Sequence, residues 1–311
     1  MKVVVTGGAG FIGANLCRTL LDSGVDEVVV LDDLSTGSRD NLDGLDVELV
    51  EGSILDRDAL DRCCQRAGAI VHLAARASVP RSIADPVASH LANASGTVEV
   101  LEAARRAGNP HVVVASSSSV YGANPTLPKR EDLASRPLSP YAASKLATEA
   151  YALAWQHSYG LPVLAFRFFN VFGPLQAPGH AYAAVVPAFV SAALAGQPLC
   201  VHGDGRQSRD FTYVGTVAAV LTTAVLDRVT DPDPVNLAYG SRVELLELIA
   251  LLEDILGRDL AVEHVEPRAG DVRHSMADDS RVRALFPDVT PVPLVDGLRA
   301  TVDWMSGLFG S

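Results

Sequence analysis

The stretch KVVVTGGAGFIG, at positions 2–13, constrains this chain more than any other. KVVVT is a short β-branched run, GGAGFIG follows it directly, and a helical pattern runs on from Ala14 to Ser23. The order is strand, glycine turn, helix. Gly7, Gly10 and Gly13 stand in a GxxGxxG arrangement, which suits a tight turn, close approach of the backbone to a pyrophosphate and close packing of the helix, with the phosphates at the helix N-terminus. A second strand pattern, Glu27 to Leu31, ends in Asp32 and Asp33. Asp32 lies 19 positions after Gly13, close to the ~20 expected of an acid that accepts a hydrogen bond from a ribose 2′-hydroxyl. A carboxylate there repels a 2′-phosphate, so the spacing predicts NAD rather than NADP; the competing reading is a pair of solvated turn aspartates.

Strand and helix patterns continue to alternate: VELVEG, a helix from Arg57 to Ala67, AIVHLAA, a long helix from about Ala84 to Ala107, and HVVVASSSS. Alternation of this kind predicts an α/β fold, a doubly wound parallel sheet with helices on both faces. Ligands of such sheets bind beyond the carboxyl ends of the strands. Those ends carry Ala74 and Ala75, small enough to admit a cofactor backbone, and the serines Ser116 to Ser119. Beyond Asn170 the alternation breaks down: Pro174, Pro178 and Gly179 mark a loop, a helical pattern runs from about Tyr182 to Ala195, and LCVHG reads as a strand. A helix near Val214 to Leu226 and a strand at Val235 to Leu237 precede two further helices. The expected partition is 1–170 with 208–238 as the sheet domain and 171–207 with 239–311 as a smaller, interleaved C-terminal substrate lobe.

Within SPYAASKLA, Tyr141 and Lys145 are four residues apart and share one face of a helix. A phenol is un-ionised at neutral pH, but an ammonium held close favours the phenolate, which makes the pair an acid/base device. Alone, YxxxK is equally a surface helix with one aromatic and one charge. The glycine turn and the acid at the second strand end favour the functional reading.

At 311 residues and 48% hydrophobic content the chain can bury a full core. A formal net charge of −12 argues against a nucleic-acid or anionic-membrane surface. No apolar run approaches the ~20 residues needed to span a bilayer, and MKVVVTGGAGFIG enters a strand pattern without a signal-peptide cleavage region. The expectation is a soluble, cytoplasmic protein. Cys17, Cys63, Cys64 and Cys200 show neither metal-ligand nor disulfide spacing and read as buried apolar thiols, and the eight histidines include no HExxH; no metal is expected.

The chain resembles the extended short-chain dehydrogenase/reductase family, and within it the nucleotide-sugar 4-epimerases, over nearly its whole length. The resemblance is carried by TGGAGFIG, LDDLSTG, HLAA, NASGT at 93–97, SSSSVYG, SPYAASK, RFFNVFGP, GDGRQSRDFTYV and RAGDVRHS. It implies a Rossmann sheet, bound NAD, a UDP-sugar substrate, a homodimer, and a catalytic triad of Ser117, Tyr141 and Lys145. It adds Phe11, Ile12, Asp33, Ser53, Ile54, Leu73 and Asn93 to the cofactor site. Arg209 and Arg268 are implied at the nucleotide diphosphate, where a planar guanidinium donates two parallel hydrogen bonds, and His202 beside uracil. Ser78, Ser118, Asn170 and Gln176, with Val185, Cys200, Asp271 and Ser275, complete the implied substrate set. Ser275 matches a position bordering the sugar, where a small residue leaves room for an N-acetyl group.

Three features depart from the family pattern. Ser53 stands where an Asp is usual, Gly215 and Thr216 where acidic residues are common, and Ala77 where the relatives acting on N-acetylated sugars have Gly. The activity implied is inversion at C4 of a UDP-hexose through a 4-keto sugar. Alternatives are UDP-glucuronate epimerisation, for which Arg76, Arg81 and His180 are available, and 4,6-dehydration or decarboxylation, whose relatives carry acids where this chain has Ser118 and Ser119. From another class, a silent NAD-binding regulator would lack Tyr141 or Lys145.

Overall fold

The computed structural model describes residues 1–178, 184–266 and 273–309. Its first strand, β1 (Lys2–Thr6), is followed by helix α1 (Phe11–Asp22) and β2 (Glu27–Asp32). Then come β3 (Glu48–Glu51), α2 (Arg57–Cys64), β4 (Ala69–His72), α3 (Val79–Ala84), α4 (Pro86–His90) and α5 (Gly96–Arg106). β5 (His111–Ser117), α6 (Pro140–Tyr159), β6 (Val163–Phe168) and, much later, β10 (Val235–Leu237) complete a seven-stranded sheet in the order β10-β6-β5-β4-β1-β2-β3. Every pairing within it is parallel.

The strands are buried on both faces, which is why they read as continuous apolar runs rather than alternating ones. Val3, Val5, Val28, Val30 and Val71 face α1 and α8 (Val214–Leu226) on one side, while Val4, Val29, Leu31, Ile70 and Val112 face α2, α5 and Ala152 of α6 on the other. Strand order reverses at β1, between β4 and β2, so the crevice for a ligand opens beyond Thr6, Asp32 and His72.

The remaining elements build a second core. β7 (Asn170–Phe172), β9 (Ser208–Tyr213) and β11 (Arg242–Glu244) form a three-stranded sheet, and β8 (Leu199–His202) pairs with β12 (Val262–Val265). Phe172, Phe189, Leu199, Phe211, Leu248 and Leu298 pack together there, contributed also by α7 (Val185–Leu194), α9 (Leu245–Leu256) and α11 (Leu294–Phe309). Two segments depart from the expected partition. Residues 208–213 join the small sheet. Helix α10 (Ser280–Leu285) lies against β10 instead of in the lobe, because Val282 and Phe286 fill the core beside Phe166.

Other boundaries differ for local reasons. Helix α1 begins at Phe11 with Gly10 as its N-cap, so Gly13 lies inside its first turn. The long helix expected from Ala84 starts at Pro86, capped by Asp85, and is interrupted by a wide π turn over Leu91–Ser95. Cys200 is exposed, whereas Cys17, Cys63 and Cys64 are buried and their thiols are pushed up by desolvation. Among the described residues no helix is long and apolar enough to cross a membrane.

Candidate active site

A cleft of about 730 Å³ lies beyond the carboxyl ends of the large sheet. On one wall are Gly7, Gly10, Phe11, Ile12 and Gly13, with Asp32 and Asp33 at the end of β2. Two glycines are sterically required. Gly7 has φ +72°, and a Cβ on it would lie 2.6 Å from the Ala74 amide nitrogen; a Cβ on Gly13 would strike the Gly7 carbonyl and Gly8. Any larger side chain would close the turn that bares the α1 N-terminus, so the cradle fits a pyrophosphate. Ser53, Ile54, Leu73, Ala74 and Ala75 line the cleft as well. Ser53 also turns its hydroxyl to the Leu55 amide (3.1 Å).

Asp32 is almost fully buried, and its carboxylate accepts from the Ala9 amide (2.9 Å) and the Leu34 amide (2.9 Å). Burial raises its pKa while these two amides oppose the rise. Two backbone donors leave further acceptor capacity on a carboxylate, so Asp32 both braces the glycine turn and faces the cleft. Asp33 accepts from the Ser35 amide (3.0 Å).

The lining also includes the Tyr-Lys pair expected from the sequence. Helix α6 is started by Ser139, which accepts from the Ala142 amide (3.1 Å), and by Pro140 in its first turn. One turn apart on it stand Tyr141 and Lys145, both lining the cleft with Ser117 and Ser118 from the end of β5. The Ser117 hydroxyl accepts from the Ser119 amide (3.2 Å) and is near enough to the Tyr141 phenol to lower its pKa. Lys145 is buried and its Nζ donates to the Ala115 carbonyl (2.8 Å).

The electrostatics correct one expectation. Burial raises the Tyr141 pKa, opposed by the Ser117 hydrogen bond, and the ammonium of Lys145 does not reverse that rise. Lys145 is itself lowered to about 8 by desolvation. Desolvation therefore moves the two pKa values toward each other: both shifts favour the uncharged form.

Asn170 and Gln176 enter the cleft from β7 and the loop after it. Asn170 Nδ2 donates to the Asp210 carbonyl (3.0 Å), and Gln176 Nε2 to the Val171 carbonyl (3.2 Å). Asn93, by contrast, does not line the cleft. It is buried beneath it, its amide taken up by the Arg76 amide (2.7 Å) and the Ser144 hydroxyl (2.9 Å).

The other anticipated substrate residues also lie outside the cleft lining. Ser78 caps α3 through the Arg81 amide (3.3 Å), and Val185 packs on the lobe core. Cys200 and His202 are on β8, with His202 Nδ1 2.9 Å from the Glu266 carbonyl. Arg209, on β9, donates to the Ser208 (3.0 Å) and Arg273 (3.2 Å) carbonyls. Ser275 is tied to β9 by its amide, which donates to the Ser208 carbonyl (3.0 Å). Gln207, two positions before Arg209, donates from its Nε2 to the His202 carbonyl (2.7 Å). Arg268, Asp271 and His180 lie outside the described residues.

Sequence reasoning did not single out His72, although HLAA contains it. It is buried between Thr6 (2.7 Å) and Thr97 (3.1 Å), and burial together with the nearby Lys145 charge lowers its pKa to about 3. A neutral imidazole thus joins β1 to the helix beneath the cleft. Ser35, Thr36, Phe168 and Phe169 are further cleft residues; the first two stand in LDDLSTG and could have been drawn from it.

Residues 3–238 match the family described as "NAD dependent epimerase/dehydratase family". The chain is 37% identical over 310 residues to a UDP-glucose 4-epimerase of Mycolicibacterium smegmatis, covering 98% of each chain. A UDP-N-acetylglucosamine 4-epimerase of Methanobrevibacter ruminantium, solved with UDP-N-acetylmuramic acid, superposes with a TM-score of 0.93 at 36% identity, over 99% of this chain and 98% of that one. The Thermus thermophilus UDP-glucose 4-epimerase, solved with NAD, gives 0.90 at 35% identity over 99% of both chains. The chain therefore belongs to the NAD-dependent epimerase/dehydratase family, on its Rossmann fold.

Proposed function

We propose that the protein inverts C4 of a UDP-hexose through a transient 4-keto sugar, with Ser117, Tyr141 and Lys145 as the catalytic residues. The observation that carries this reading is the convergence of the three side chains at the cleft that the glycine cradle also lines. Gly7, Gly10, Gly13, Asp32, Ser53, Ile54 and Leu73 to Ala75 would hold NAD, which when bound would supply a reversible hydride acceptor. Tyr141 moves the proton of the sugar 4-hydroxyl: as phenolate it accepts, and as phenol it returns. Ser117 holds the same oxygen in place. Lys145 offsets the negative charge in a site that desolvation makes costly for it.

Inversion, rather than simple reversal, requires the ketone to present its other face. The grip must then fall on the nucleotide and not on the hexose, which is the part assigned to Arg209, Arg268 and His202 in the lobe. For the sugar, the reading is UDP-glucose and UDP-galactose together with their N-acetylated counterparts. A small Ser275 supports the second pair, as does the likeness to a UDP-N-acetylglucosamine 4-epimerase. A homodimer belongs to the same reading, supported by Ile83 and Val87, which are 65% and 66% exposed on α3 and α4.

Dehydration or decarboxylation through the same ketone needs an acid beside the triad. Ser118 lines the cleft and Ser119 lies next to it, which favours epimerisation. Separate incubations with UDP-glucose, UDP-N-acetylglucosamine and UDP-glucuronate, with products resolved by proton NMR, test the assignment. C4 epimers of the first two are expected; a 4-keto-6-deoxy sugar or a pentose would replace it.

A further inference from the structure

We infer that Asp210 is a positioning residue for nucleotide binding, the anchor that sets the segment 273–279 against β9. The inference rests on the proposed function in taking the flanking residues Arg209 and Ser275 as contacts to a nucleoside diphosphate sugar.

Strand β9 carries Arg209 and Asp210 in succession, so their side chains leave opposite faces of the strand. Asp210 is completely buried. Its Oδ2 accepts from the Ala277 amide (3.0 Å), its Oδ1 lies 3.4 Å from the Ser241 hydroxyl, and its carbonyl takes the Asn170 side chain (3.0 Å). No cation pairs with it among the described residues, and burial raises its pKa to about 6.

The segment beginning at Arg273 runs beside β9 by a short parallel bridge between Ser208 and His274. Ser208 gives its amide to the Arg273 carbonyl (3.0 Å) and accepts the Ser275 amide (3.0 Å). Its hydroxyl accepts from Arg242 Nε (2.8 Å) and lies 2.9 Å from His274 Nδ1. Two residues further on the bridge has ended, and the Asp210 carboxylate holds the Ala277 amide in its place. Ser275 is thereby fixed between two attachment points on one strand, the strand that also bears Arg209.

A carboxylate is costly at a site with no cation, and the geometry shows what it is used for: Oδ2 takes the Ala277 amide, while Oδ1 faces the Ser241 hydroxyl, whose one proton goes to the nearer Phe211 carbonyl (2.8 Å). An amide can replace it. In Asp210→Asn the Oδ1 accepts from Ala277, and Nδ2 donates to Ser241, whose hydroxyl still donates to the Phe211 carbonyl (2.8 Å). Asp210→Ala leaves the Ala277 amide buried and unpaired, which favours displacement of the segment.

The test measures UDP binding by calorimetry, epimerase kinetics and the NAD content of the purified protein for wild type, Asp210→Asn and Asp210→Ala. Asp210→Ala should raise Kd for UDP and KM for the sugar nucleotide by roughly ten-fold, the size of one lost buried hydrogen bond. Its kcat should stay within about three-fold and its NAD content unchanged, because only ground-state positioning is lost. Asp210→Asn should recover both constants. Unchanged Kd and KM in Asp210→Ala, a fall confined to kcat, or Asp210→Asn as impaired as Asp210→Ala would each overturn the inference. If Asp210→Ala does not fold, Asp210→Ser, whose hydroxyl falls short of Ala277, is read in the same way. Calorimetry separates the two claims: wild type that binds UDP without turning over any sugar defeats the proposed activity and leaves Asp210 open to the same comparison.

Discussion

Arg167 and Glu149 face each other as a buried, two-pronged pair, Nη2 to Oε1 at 2.7 Å and Nε to Oε2 at 3.0 Å, joining β6 to the helix that carries Tyr141 and Lys145. The guanidinium also lies 4.7 Å from the centre of the Tyr121 ring. The partner charge and ring keep Arg167 protonated against desolvation. The pair thus ties β6 to α6 two turns along the helix from Tyr141, the phenol proposed to carry the proton.

Removing one partner of such a pair strands the other. Arg167→Met should lower unfolding free energy by about 3–5 kcal/mol, whereas replacing both partners with apolar residues should cost far less. Denaturant unfolding of the single and double variants decides it. Equal losses in both would mean that the pair's charges do not matter to stability.

Tyr141→Phe keeps the ring and deletes the proton carrier. Turnover should drop by roughly 10²–10⁴-fold with binding of UDP-sugar and NAD nearly unchanged. Near-normal kcat in this variant would remove Tyr141 from the proposed mechanism.

His72 gives a pH signature. Its folded pKa of about 3 lies below the ordinary value of 6.5, so between those limits the unfolded chain binds the extra proton. The stability that neutral His72 contributes is complete above about pH 6.5 and is lost as pH falls toward 3. Compared with His72→Gln, wild type should therefore lose up to about 1.4 kcal/mol per pH unit on acidification through this window. Taking the difference removes Asp210, which is common to both and acts in the opposite sense. A gap between the two proteins that stays constant from pH 7.5 to 4.5 would show that His72 is not held neutral.

The sheet half of the molecule was legible because each of its rules is local. A β-branched run buried on both faces, glycines that no Cβ could replace and a capped helix with residues four apart all lie within short windows. The lobe was less legible. Cys200, His202, Arg209 and Ser275 come from separate segments joined by long-range contacts such as the 208–274 bridge, which no periodicity announces. Asn93 and His72 were opaque for a different reason: lone polar residues among apolar ones reveal their partners only when β1, β4 and α6 are assembled. Gly215 and Thr216, odd in the sequence, have a packing role. A Cβ at 215 would press on the Tyr213 ring at 2.7 Å, and Thr216 Oγ1 accepts the Val292 amide (2.9 Å) where the chain enters α11.

Ser275→Tyr tests the sugar pocket. Filling a site that admits an N-acetyl group costs about 1–3 kcal/mol, one to two powers of ten. The variant should lose kcat/KM for UDP-N-acetylglucosamine by that factor while sparing UDP-glucose. A ratio of the two that does not move would end the gatekeeper assignment.

The central claim is that C4 is oxidised and reduced within one closed cycle. It is tested most directly by incubating the purified protein with UDP-glucose in deuterium oxide, without added NAD, and following the sugar by proton NMR. The account predicts UDP-galactose whose C4 keeps its original hydrogen and whose other ring carbons take up no deuterium. Deuterium at C4 or C5, or a 4-keto-6-deoxy product, would contradict it.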